Sequence, residues 1–206
     1  SSRSRSRAAP RVVALDGMGG DRAPAEPVRG ALRSAAAGER ILLVGDEAAL
    51  RAEIARQGGE GADGVEVVHA PDAVGSDEDG ARAVRAKPES SVAVACRLVG
   101  EGRAQAAVSA GNTGAMLAAA TLYMRRVPGV LRPAIAVALP AAGGRPVLLL
   151  DAGASAEARP EHYGQLALMG RIFARDVLGI PEPRVGLLSI GEEEGKGTEA
   201  VRAAHD

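Results

Sequence analysis

Four short segments concentrate the residues able to do chemistry. The first is Asp16-Gly17-Met18-Gly19-Gly20-Asp21, which sets glycines between two carboxylates directly after an apolar run. Glycine allows close backbone approach and positive φ, so such a segment can bring main-chain amides up to a ligand. It carries the G-x-G of a dinucleotide fingerprint, but Arg22 stands where the third glycine belongs. It therefore reads as a tight strand-to-helix turn whose aspartates orient groups or hold a polar ligand. The second is Ser109-Ala110-Gly111-Asn112-Thr113-Gly114, between an apolar run and an apolar helical pattern. Small residues there expose amides at a helix N-terminus, where the macrodipole favours an anion. Ser109, Asn112 and Thr113 add polar side chains beyond what capping requires. Phosphate is the anion this segment suits.

The third segment, Asp151-Ala152-Gly153-Ala154-Ser155, again ends an apolar run. Asp151 can cap a turn or hold a partner lysine. Just beyond it, Arg159-Pro160-Glu161-His162 opens a helix, and His162 is a candidate proton donor. The fourth, from Gly191 through Glu193 to Lys196, Gly197 and Thr198, looks like a P-loop but fails the count. A Walker A has four residues between its glycines and Ser or Thr directly after lysine; here three intervene and Gly197 follows Lys196. Lys196 remains a candidate to meet a phosphate or a developing negative charge.

What is missing narrows the chemistry. There is no G-x-S-x-G elbow, no CxxC pair and no H-E-x-x-H. His69, His162 and His205 are too scattered to be read as a metal site, so neither a metal nor a cofactor is expected. An enzyme with this inventory would use a substrate as its nucleophile and would itself supply anion binding and polarisation. The formal net charge of -1 argues against a general nucleic-acid binder. With Tyr123, Tyr163 and Phe173 as the only aromatics, stacking platforms for single strands are lacking too. The lone cysteine, Cys96, lies in an apolar run, which fits a reducing compartment and a buried thiol better than a nucleophile. No run reaches the roughly 18 apolar residues of a membrane span. The Ser/Arg-rich residues 1–10 have no apolar stretch behind them, so they read as a disordered tail rather than a secretory signal, and the cytoplasm is the expected location.

The elements that must position these loops alternate. Apolar runs predict strands at 11–16, 40–45, 65–70, 105–109, 134–139, 146–151 and 184–190. Several are continuous, as in Ile41-Leu42-Leu43-Val44, which suits strands covered on both faces. Helices are predicted at 24–37, 46–57, 90–101, 112–126 and 160–178. Pro24 and Pro27 belong to the first turn of the first helix, Asp46 caps the second, and Gly58-Gly59 stops it. Residues 75–80 read as a mobile loop and 141–145 as a turn between adjacent strands. The alternation predicts a three-layer α/β/α fold with a largely parallel sheet, one domain over 11–206. A helical pattern begins at Lys196 with no strand or cap after it, so the domain is expected to be incomplete at its C-terminus.

In this order the segments resemble the phosphate acyltransferase family of bacterial phospholipid synthesis. The residues that carry the likeness begin with 13–21, Ala23-Pro24 and Val44-Gly45-Asp46, then Ala83-Val84-Arg85 and Ser90-Ser91. They continue with 109–115, Arg132-Pro133-Ala134, 148–151 with Gly153-Ala154, and Pro160-Glu161-His162. Met169-Gly170, 184–188, 190–193 and Lys196-Gly197 close the series. The resemblance implies a fold similar to phosphate acetyltransferases and isocitrate/isopropylmalate dehydrogenases, and a cytoplasmic homodimer loosely associated with the inner face of the membrane. It also implies the reaction: acyl-acyl carrier protein plus inorganic phosphate gives acyl phosphate and free carrier protein. Asn112, Lys196, Asp151 and His162 would then be catalytic, with Lys196 stabilising the tetrahedral intermediate. Asp16, Gly19, Gly20, Asp21, Ser109, Gly111, Thr113, Gly114, Gly153 and Glu193 would form the phosphate and substrate site.

The chain departs from the family pattern at several positions. Gly17 stands for the usual alanine, Arg22 for histidine, Ser155 and Ser189 for asparagine, and Ala86 and Pro88 flank Lys87 where a basic pair is usual. The last of these would weaken contact with an acidic carrier protein. Three other readings stay open: a short-chain phosphate acetyltransferase-like enzyme, an NAD-dependent enzyme of the same fold, and an inactive module that binds without turnover. Dependence on carrier protein, coenzyme A or NAD separates the enzymes.

Overall fold

A computed structural model describes residues 11–155, 158–191 and 196–205. The tail expected over 1–10, and Glu193, lie outside the described residues. The chain divides into two compact units, one up to Arg125 and one from Arg126.

In the first unit, β1 (Val12–Asp16), β2 (Arg40–Gly45), β3 (Val65–His69) and β4 (Ala106–Val108) form a parallel sheet in the order β3-β2-β1-β4. The continuous run in β2 explains the layering, because successive side chains point to opposite faces. Ile41 and Leu43 pack with Val28, Ala31 and Leu50 of α1 (Ala25–Ala36) and α2 (Glu47–Arg56). Leu42 and Val44 pack with Val94, Ala95 and Leu98 of α4 (Ser91–Gly100) on the other face. This is the three-layer α/β/α arrangement with parallel strands that the sequence predicts. Asp46 caps α2 by accepting from Ala49 N, and the chain leaves that helix through Gly58 at φ +70°.

Two features of this unit were not expected. The loop expected over 75–80 holds for 75–79, but Gly80 opens a short helix, α3 (Gly80–Ala86), capped by Asp79. The helix predicted over 112–126 is α5 (Thr113–Ala119) followed by a π-helical turn, Ala120–Met124.

The second unit holds an antiparallel hairpin of β5 (Ala136–Leu139) and β6 (Val147–Leu150), joined by the expected turn at 141–145. Helix α6 (Pro160–Asp176) packs on β6, with Gly170 against Leu148 and Leu150, and α7 (Glu199–His205) packs on α6. The strand predicted over 184–190 does not form. Its apolar run has strand character, but a strand also needs a neighbour for its main-chain groups, and none pairs with it among the described residues. Leu188 and Ile190 are correspondingly exposed.

Candidate active site

The site grows from the carboxyl ends of two adjacent parallel strands, the usual place for ligands in an open α/β sheet. Because Leu15 of β1 is in register with Val108 of β4, the loops that follow emerge side by side. Asp16, almost fully buried, ties them together. Its Oδ1 accepts from Met18 N at 3.1 Å, and its Oδ2 accepts the Ser109 hydroxyl at 2.7 Å. Ser109 Oγ in turn accepts from Gly111 N at 3.1 Å. A side-chain relay thus fixes the shape of both glycine-rich turns.

The glycines at the junction are dictated by space. A Cβ on Gly19 would stand 2.5 Å from Asp16 Oδ2 and 2.8 Å from Ser109 Oγ, and one on Gly111 would stand 3.0 Å from Gly19 Cα. Gly20 sits at φ +101°, a conformation that favours glycine.

Asn112 holds a third segment in place. Its Oδ1 caps α5 by accepting from Ala115 N at 2.9 Å, while Nδ2 donates to Gly75 O at 3.1 Å and Glu78 O at 2.8 Å. Gly80 lies so close behind that a Cβ there would fall 2.1 Å from Ala115 N. The three segments enclose a cavity of about 470 Å³, lined by Gly20 and Asp21, by Gly75 and Ser76, and by residues 110–114. A second cavity of about 400 Å³, richer in apolar groups such as Leu15, Pro27 and Val108, shares Gly20, Asp21 and Ala110 with the first.

Thr113 and Gly114 open α5, where main-chain amides have no intrahelical partner, and both residues are exposed and line the first cavity. Groups of this kind suit an anion. The side chains of Ser109 and Asn112, by contrast, spend their polar atoms on shaping the loops. Cys96 is fully buried against Met116 and its thiol is pushed up to about 11, mainly by burial and secondarily by the Asp16 carboxylate. It stays protonated at neutral pH and is no nucleophile.

The predicted site residues therefore fall in two groups. The first unit brings together Asp16, Gly19, Gly20, Asp21, Ser109, Gly111, Asn112, Thr113 and Gly114. Asp151, Gly153, His162 and Lys196 belong to the second unit. There Asp151 Oδ1 accepts from Ile135 N and Ala154 N at 2.9 and 3.0 Å, and Oδ2 from Ser155 N at 2.9 Å. It builds the turn that contains Gly153, which sits at φ +114°. His162 Nδ1 accepts from Arg159 N at 3.2 Å and so closes the first turn of α6, and Lys196 is exposed. The sequence reading did not find Gly75, Ser76, Glu78, Gly80 or Lys87. The only local signal for them is Asp79 as a cap three residues before Arg82.

Comparison with known proteins places the chain in a family. The model of a family described as fatty acid synthesis protein matches residues 11–206. A phosphate acyltransferase of Gloeobacter violaceus is 50% identical over 196 residues, covering 94% of this chain and 57% of its own length. One of Desulforamulus reducens is 48% identical over 194 residues with the same coverage, and one of Geobacillus thermodenitrificans 44% identical over 194 residues, covering 93% and 58%. The chain thus spans well under two thirds of the length of these relatives. With the match running from the first described strand to the end of the chain, and through every loop that builds the cavity, the chain belongs to the fatty acid synthesis protein family.

Proposed function

We propose that this chain is the acyl-transferring part of a phosphate acyltransferase that moves a long-chain acyl group from acyl carrier protein to inorganic phosphate. The observation that carries the reading is the cavity between the loops after β1 and β4, whose walls are glycine-rich and include the residues that open α5. Family membership and the names of the relatives support it.

In this reading phosphate is the nucleophile. The amides of Thr113 and Gly114 bind it, while Asp16, through Ser109 and Gly111, and Asn112 set the geometry of the loop that presents them. Asp21, at the rim, orients the groups that bind the anion. A phosphate oxygen attacks the thioester carbonyl carbon, the C–S bond breaks, and the carrier protein leaves as thiolate. A free thiol has a pKa of about 8.5, so the thiolate is a fair leaving group and His162 has a modest task as proton donor. Lys196 is assigned to stabilise the oxyanion of the tetrahedral intermediate, and within its own unit Asp151 shapes the turn that contains Gly153. Glu193 joins the binding set. No cofactor or metal takes part. The same reading carries a single α/β domain over 11–206, a cytoplasmic homodimer and loose attachment to the inner face of the membrane. Among the described residues no helix is long and apolar enough to cross one.

The test is chemical. The chain is incubated with palmitoyl-acyl carrier protein, with and without phosphate, and acyl phosphate is trapped with hydroxylamine. Acyl hydroxamate that forms only with phosphate supports the reading; hydroxamate at the level of the enzyme-free control contradicts it.

A further inference from the structure

Lys87, just past the end of α3, is not a free surface cation. Its Nζ donates to Glu78 Oε1 at 2.7 Å, to Glu78 Oε2 at 2.9 Å and to Ala73 O at 3.0 Å, which employs all three of its donors. Glu78 Oε1 also accepts from Gly75 N at 2.7 Å, so one carboxylate joins the lysine to the main chain of the cavity wall. Asn112 grips the same turn from α5 through the carbonyls of Gly75 and Glu78. The turn that puts Gly75 and Ser76 on the cavity is therefore held from two independent elements.

We propose that Lys87 is a positioning residue of the phosphate site, which through Glu78 holds the Gly75–Ser76 wall of the cavity against α5. This rests on the assignment of that cavity to phosphate. Half-exposed ion pairs contribute little to global stability, so the effect of this one is local. Without the lysine, Gly75 N loses the fixed acceptor that shapes its turn, and Ser76 no longer has one position at the cavity edge. The carboxyl of Glu78 is held below its ordinary value, first by the Lys87 hydrogen bond and then by the Gly75 amide, consistent with an anion kept in place. The same geometry commits the donors of Lys87 to this turn rather than to an acidic carrier protein.

The experiment compares the wild-type chain with Lys87→Met, Lys87→Arg and Glu78→Gln. Hydrogen exchange is followed on peptides covering 73–79, and the Kd of inorganic phosphate is taken by calorimetry. For Lys87→Met, exchange in that segment rises by about tenfold while the melting temperature stays within a few degrees. Phosphate Kd weakens by about fivefold or more. Lys87→Arg restores most of both, since a guanidinium still pairs with the carboxylate. Glu78→Gln keeps an oxygen for Gly75 N and gives the smaller change of the same sign; it also decides the matter should Lys87→Met fail to fold. Unchanged exchange, or faster exchange with wild-type phosphate affinity, overturns the positioning role. A wild-type chain that binds no phosphate overturns the assignment of the cavity, and the positioning role with it.

Discussion

At the scale of single residues, the site is shaped more by what has no room than by what reaches in. Gly19 leaves 2.5 Å between a would-be Cβ and Asp16 Oδ2, an oxygen of a buried carboxylate tied to Ser109. Gly19→Ala is thus expected to cost about 1–3 kcal/mol by overpacking and to weaken phosphate binding, read by urea denaturation and calorimetry. A fully stable variant with native affinity would show that the relay is slack. Cys96 gives a pH prediction. Its pKa rises on folding from 9.0 to about 11, so the folded state favours the protonated thiol. Stability from this group is fully present below about 9 and is lost as pH climbs towards 11, because the unfolded chain ionises first. Cys96→Ala should flatten that part of the urea-midpoint profile, and iodoacetamide should leave the native chain unmodified at pH 7.5.

At the scale of elements, Asn112 links two of them. Asn112→Asp keeps an oxygen for Ala115 N but loses both donors to the 75–78 turn. The cap survives, and the turn is released: faster exchange at 75–78 with α5 still protected is the expected pattern. Equal loosening of both would mean that the cap and the bridge are one unit. Leu43 anchors the layer between β2 and the helices α1 and α2, and Leu43→Ala should cost about 2–5 kcal/mol in urea denaturation.

These elements also show what could be read in advance. The run Ile41 to Val44 announced a strand covered on both faces, because that requirement is written in consecutive residues. The glycine-rich loops announced themselves for the same reason. Helix α3 did not, since seven residues and one cap are too few to carry a period. The Glu78–Lys87 pair was also invisible: it depends on the chain turning back over α3, which nothing at those two positions encodes. The run 184–190 misled because apolar character was legible and the absence of a pairing neighbour was not. Asn112 and Ser109 were found as site residues, yet their polar atoms turn out to organise the loops.

At the scale of the molecule, the predicted groups divide between two units, and so does the chemistry assigned to them. The first unit carries the amides that suit phosphate, and the second carries Lys196. Lys196→Ala should therefore lower kcat by about 100-fold or more while leaving phosphate Kd within about twofold. An equal loss in Kd would make Lys196 a phosphate ligand instead. In the proposed reaction phosphate itself attacks the thioester, with no acyl-enzyme on the way. The measurement that tests it most directly is a single turnover with enzyme in excess over palmitoyl-acyl carrier protein, following free carrier thiol before and after phosphate is added. Thiol released only after phosphate is the predicted result; a stoichiometric burst beforehand would reveal an enzyme nucleophile and contradict the account.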